Sequence, residues 1–127
     1  MLSELDENAL MVYSLEPYEP DYLTHGGPSA YPPDRSYAVL PSNIYYGWSN
    51  ESADGFTANA LRSSVASLMA SGIRDGQNLE KVASYPNYAL FGTPLEKMYG
   101  VHVERLREIR RKYDPENVMC LTGGWKF

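Results

Sequence analysis

Two short apolar runs and two longer patterns of helical period organise the chain. Residues 10–16 read Leu-Met-Val-Tyr-Ser-Leu-Glu, an apolar stretch stopped by Pro17, and predict a first strand. Residues 42–48 predict a second strand, with Asn43, Tyr45 and Gly47 facing one way and Ile44, Tyr46 and Trp48 the other. After a turn over 49–52, residues 53–70 predict a helix. Ala58, Leu61, Val65 and Leu68 follow the 3, 4, 3 spacing of one buried stripe, and Gly72 is the expected C-cap. Residues 74–77 are polar and turn-like, and 81–90 form a third extended piece. A last helix is predicted over 94–113, with Thr93 as cap, Pro94 at the first position and Glu96 completing a capping box. Its stripe is Tyr99, Val103, Leu106, Ile109 and Tyr113, and Gly100 divides it into a short and a longer part. Asp114-Pro115 opens one more turn, with Asp114 as cap, and the Gly-rich 122–127 is expected to dock by its aromatics.

Between the two strands lies a segment that forbids regular structure. Pro17, Pro20, Pro28, Pro32 and Pro33, with Gly26-Gly27, exclude a helix over 17–36. A loop of about 20 residues is unusual inside a compact domain and is often functional. Tyr18, Tyr22, His25 and Tyr31 suit it to lie over a pocket. Strands interleaved with helices predict an α+β fold: a partial antiparallel sheet with helices packed on one face, followed by a helical C-terminal segment. Three strands make a thin sheet whose edges or faces call for a partner, so the chain reads as a piece of something larger.

Composition narrows the function classes. The 127 residues fit one domain or part of a larger one, and 43% hydrophobic content supports a packed core. Eleven Lys+Arg against sixteen Asp+Glu give a net charge of -5, which argues against general attraction to nucleic acid or an anionic membrane. The basic run Arg105, Arg107, Arg110, Arg111 and Lys112 reads as a solvated helix face, since positive charge near a helix C-terminus is favourable in itself. Cys120 is the sole cysteine, so no internal disulfide forms. Between Met119 and Leu121 it is expected to be a small buried hydrophobe. His25 and His102 lie too far apart in sequence for a metal signature, and no site for a metal is expected. The acidic opening, Met1 to Glu7, has neither the basic start nor the apolar run of a signal peptide, and no stretch approaches a membrane span. A cytoplasmic location is the default expectation. Asn50-Glu51-Ser52 matches a glycosylation acceptor and, with no export signal, reads as incidental.

The chemistry-bearing candidate is Tyr85-Pro86-Asn87-Tyr88. On an extended segment Tyr85 and Asn87 would point one way and Tyr88 the other, so one strand would address two things. Asn87 carries a donor and an acceptor, suited to a polar ring edge, and Tyr88 would face a substrate. The same four residues also suit a turn at Asn87 with Tyr88 simply packed. Downstream follow, in order, Tyr99-Gly100, Arg105-Leu106 and Tyr113-Asp114-Pro115-Glu116-Asn117-Val118.

This ordered series resembles the C-terminal segment of the berberine-bridge-enzyme-like, oxygen-dependent FAD-linked oxidases. Tyr31-Pro32-Pro33-Asp34-Arg35, the stretch Leu40 to Trp48 and the ending Gly-Gly-Trp-Lys-Phe look like the fungal branch. The resemblance implies that residues 1–80 are the C-terminal part of the substrate domain and 81–127 the berberine-like segment, with no FAD-binding domain in the chain. It implies FAD as cofactor, Asn87 as flavin contact and Tyr88 as catalytic base in a hydride transfer that oxidises a secondary-metabolite intermediate. An ordinary tyrosine, with a pKa of about 10, is a weak base at neutral pH and needs a nearby cation or a hydrogen bond to its phenolate. The implied substrate is a small aromatic or polyketide-like molecule. The implied partner is the missing FAD-binding domain or a second chain, and the chain alone is expected neither to bind FAD tightly nor to turn over. The competing reading is a flavin-free module derived from the substrate domain, for binding or for cyclisation or isomerisation, dimerising over its uncovered face.

Overall fold

The computed structural model describes residues 9–36 and 38–127. The acidic opening stretch read above lies outside them, apart from the described chain. The described residues are of mixed α and β type: strands β1 (Leu10–Leu15) and β2 (Ser42–Gly47), and helices α1 (Asp54–Arg74), α2 (Leu95–Tyr99) and α3 (Val103–Tyr113), linked by short 3₁₀ turns. They form two units, one built from 9–18 and 40–82, the other from 19–36, 38–39 and 83–127.

In the first unit β1 and β2 pair antiparallel, with Tyr13 opposite Ile44 and Met11 opposite Tyr46. Directly opposed residues share a face, so Met11, Tyr13, Ile44 and Tyr46 stand together, as the alternation of β2 predicted. Helix α1 packs on β2, and the Tyr46 and Ser64 hydroxyls meet at 2.7 Å. Its entry is a 3₁₀ turn at Glu51–Ala53, where the Asn50 amide oxygen accepts from the Ser52 N–H at 3.0 Å and hydroxyl at 2.9 Å. Asp54 and Arg74 lie at the ends of α1 that suit their charges.

The predicted stripe of α1 is buried along only part of its length. Ala58 and Leu61 are half-buried, but Val65 and Leu68 are exposed. A helix of 21 residues extends about 30 Å, whereas two strands about 5 Å apart offer a far smaller platform. The helix also ends later than expected. Gly72 is an interior, buried residue packed beneath Leu79, and Gly76, at φ +87°, makes the left-handed exit, with Gln77 N–H donating to the Gly72 carbonyl at 2.9 Å.

The second unit holds the Pro-rich loop, α2 and α3 around Met98 and Val103, 0% and 3% exposed. Gly100 breaks the helical run as the sequence implied. Its φ of +52° is open only to glycine at little cost, and a Cβ there would sit 3.1 Å from the Pro33 Cβ. The predicted cap differs. Pro94, extended at ψ 139°, is the N-cap of α2, so Thr93 falls one residue too early and its hydroxyl donates to the Leu90 carbonyl at 2.7 Å. Glu96 therefore closes no capping box and instead lies 3.6 Å from Arg107. The basic run of α3 is largely a solvated face: Arg105 pairs with Glu108 at 2.9 Å and Arg107 with Glu104. Asp114 caps the following turn, its carboxylate accepting from the Val118 and Met119 N–H groups at 2.7 and 3.0 Å.

Two expectations fail here. Residues 81–90 form no strand; 3₁₀ and β-turns occupy both ends of that segment and the sheet of the described residues has two strands. Cys120 is exposed together with Val118, Met119 and Leu121, because that turn projects without cover among the described residues. No described helix is long and apolar enough to cross a membrane, and no described cluster of three or more His, Cys, Asp or Glu could hold a metal.

Candidate functional site

Tyr85-Pro86-Asn87-Tyr88 is a turn. The Tyr85 carbonyl accepts from the Tyr88 N–H at 3.0 Å and from the Ala89 N–H at 2.9 Å. Proline presets the backbone for the second position of such a turn, and asparagine is a favoured turn residue. The alternation expected of an extended segment is thereby replaced. Asn87 does not point away from Tyr88 across a strand; both project from one bend.

Inside the bend the side chains organise one another. The Asn87 Nδ2 donates to the Tyr85 hydroxyl at 2.9 Å. The Tyr85 and Tyr88 rings meet edge to face, 4.9 Å between centroids at 89°. Tyr31, from the Pro-rich loop, leans on the other side of Tyr85 at 5.4 Å. Offset and edge-on contacts of this kind are each worth about 0.5–1.5 kcal/mol beyond burial. Tyr88 keeps 43% of its surface exposed, so it is not a residue that merely packs.

The loop that supplies Tyr31 is braced by Arg35. Its guanidinium donates to the carbonyls of Leu23 at 2.7 Å, His25 at 2.8 Å and Tyr31 at 3.4 Å, and to the Ser29 hydroxyl at 2.7 Å. A planar fork of donors suits several carbonyls converging in a loop too rich in proline to pair with itself. From the far end of the chain, the Trp125 indole N–H donates to the Pro86 carbonyl at 2.9 Å, and Phe127 lies edge to face on Tyr99 at 5.2 Å. The docking of 122–127 by its aromatics was legible; Arg35 was not, since nothing local marks an arginine that serves carbonyls as far as twelve residues away.

Residues 84–122 match the model of the family described as berberine and berberine like. The segment belongs to that family. Two curated fungal proteins are also similar to this chain. The FAD-linked oxidoreductase anuG of Penicillium roqueforti is 32% identical over 91 residues, covering 69% of this chain and 17% of that protein. The FAD-linked oxidoreductase OXR2 of Pyricularia oryzae is 55% identical over 38 residues, covering 28% of this chain and 7% of that protein. The chain thus spans about one sixth of the length of the first relative. No solved structure matches. The berberine-like match contains the whole turn, α2, α3 and the Asp114 cap, but begins beyond the Pro-rich loop and ends before Trp125.

Proposed function

We propose that this chain is the C-terminal portion of an FAD-linked oxidoreductase that oxidises a small aromatic or polyketide-like molecule. The observation that carries the reading is that one turn, inside the berberine-like match, presents Asn87 and Tyr88 together at the surface. The donor set fits an isoalloxazine edge. One Asn87 N–H is committed to Tyr85, and the second N–H and the amide oxygen are what it offers to a ring bearing both donors and acceptors. FAD, with Asn87 among the residues that would hold it, would supply a hydride acceptor and oxygen-dependent redox chemistry. Tyr88, as the phenolate, would take the proton from a substrate hydroxyl while the carbinol carbon gives up a hydride, a two-electron oxidation of that carbon. Tyr85 orients both partners, through its hydroxyl to Asn87 and through its ring to Tyr88. Tyr31 and Tyr85 extend an aromatic wall suited to a planar substrate. The remaining flavin contacts come from the rest of a longer polypeptide or from a second chain, and this chain alone neither holds FAD tightly nor turns over.

The test is Tyr88→Phe in the flavin-loaded, full-length enzyme. Loss of a general base is expected to lower turnover by about 10²–10⁴-fold, with the flavin absorbance spectrum retained. Unchanged turnover would exclude Tyr88 as base. A flavin band at one equivalent in the purified short chain would exclude the need for further contacts.

A further inference from the structure

Trp125 is the residue that the site leaves without a role. Gly123 and Gly124, the latter at φ +94°, bend the chain so that Trp125 returns across 39 positions to the middle of the Tyr85–Tyr88 turn. Its indole N–H donates to the Pro86 carbonyl at 2.9 Å in a partly buried contact. Its position is fixed on both sides. Thr122 hydrogen-bonds the Met119 carbonyl at 2.8 Å, Lys126 reaches the Met119 and Thr122 carbonyls, and Phe127 closes on Tyr99. The carbonyl that Trp125 holds belongs to the peptide joining Pro86 to Asn87. That peptide is the centre of the turn, and its rotation would redirect Asn87 and Tyr88 together.

From this geometry we infer that Trp125 is a positioning residue for Asn87 and Tyr88: its indole N–H pins the central peptide of the turn and sets the direction in which both side chains are presented. The inference rests on the reading of that turn as the functional site, but the clamp itself is measurable without any flavin. An indole donor is needed, because the aromatic ring alone offers no hydrogen bond to a carbonyl. Loss of the clamp frees the turn locally while α2 and α3, held by Met98 and Val103, keep their packing.

The test is amide hydrogen exchange in the full 127-residue chain, comparing the natural protein with Trp125→Phe. The Tyr88 and Ala89 N–H groups, both bonded to the Tyr85 carbonyl, are expected to exchange about tenfold faster in the variant, a change of about 1.4 kcal/mol. The α3 amides are expected to keep their rates. Unchanged protection at Tyr88 and Ala89 would overturn the clamp, and equal acceleration throughout α3 would show a merely structural role. Should Trp125→Phe fail to fold, the natural protein decides. An indole N–H that exchanges at the rate of a free indole overturns the inference, and a protected one supports it. Failure of the base assignment would appear in Tyr88→Phe turnover and leave these exchange rates untouched.

Discussion

The Tyr13 hydroxyl lies 2.9 Å from the Tyr46 hydroxyl, which in turn lies 2.7 Å from that of Ser64. The chain of three joins both strands to α1, and it splits the two phenols. Tyr13 is held below the ordinary tyrosine value by the Tyr46 hydroxyl first and the Ser64 hydroxyl second, which together outweigh desolvation. For Tyr46 the Ser64 bond pulls downward, but the bond to Tyr13, burial and the Tyr13 charge together push it up. A lowered folded value means that the Tyr13 contribution is present above the unfolded pKa of about 10 and is lost as pH falls through the folded value. The raised value of Tyr46, and that of Tyr99 raised by burial, act oppositely: their contribution is present below about pH 10 and is lost as pH rises through the folded values. Stability should therefore rise slightly on approaching pH 10 and fall beyond it. Ultraviolet phenolate titration with urea unfolding at each pH measures this. Tyr46→Phe should diminish the rise and keep the Tyr99 part of the fall; a variant with an undiminished rise would separate it from the Tyr13–Tyr46 bond.

Gly100 carries a second prediction. Ala at φ +52° meets both backbone strain and the Pro33 side chain 3.1 Å from the new Cβ. Strain of this kind costs about 1–3 kcal/mol. Gly100→Ala should thus destabilise the chain by about 2–3 kcal/mol in urea unfolding. A loss below about half a kcal/mol would mean that the α2–α3 junction readily adopts another path.

The packing contrast within the second unit is equally testable. Leu106, which the predicted stripe contains, is only half-buried, whereas Met98, which that stripe leaves out, is fully buried. Met98→Ala should cost about 2–5 kcal/mol, as for a core residue, whereas Leu106→Ala should cost about 1–2 kcal/mol. Equal losses would place Leu106 in the core.

Which parts of this structure the sequence announces follows from the range of the interactions. The β2 alternation that puts Ile44 and Tyr46 on one face, the helix break at Gly100 and the Asp114 cap are local, and each was readable. Burial was not, because it depends on what covers a stripe: Val65, Leu68 and Tyr113 have the spacing of a core but stand exposed among the described residues. The Tyr85–Tyr88 bend was misread as extended because its tyrosines favour strands, though Pro86-Asn87 is itself a turn signal. Asn87 and Tyr88 stand out by residue type, and the family resemblance implies their roles as flavin contact and base. Their supports, Tyr31, Arg35 and Trp125, join them across sequence distances that no local pattern encodes.

Arg35 gives the last prediction. Four donations from one guanidinium hold the carbonyls of Leu23, His25 and Tyr31 and the hydroxyl of Ser29. The loop has little regular backbone pairing of its own beyond a 3₁₀ turn at Tyr22–Thr24 and the bond from the Val39 N–H to the Pro20 carbonyl. Hydrogen bonds to charged groups are worth about 1.5–3 kcal/mol each, and several share one side chain here, so the loop's order depends on it. Arg35→Ala should leave α1 and α3 intact by circular dichroism while accelerating proteolysis between Tyr22 and Tyr31 about tenfold or more. Arg35→Lys should restore little, because a single ammonium replaces a planar fork and cannot span the same set of carbonyls. As the Tyr31 ring leans on Tyr85, the Tyr85 ring resonances should shift in both variants. Cleavage unchanged in Arg35→Ala would show that the prolines alone hold the loop, and full recovery in Arg35→Lys would show that charge, rather than the fork, is what the loop requires.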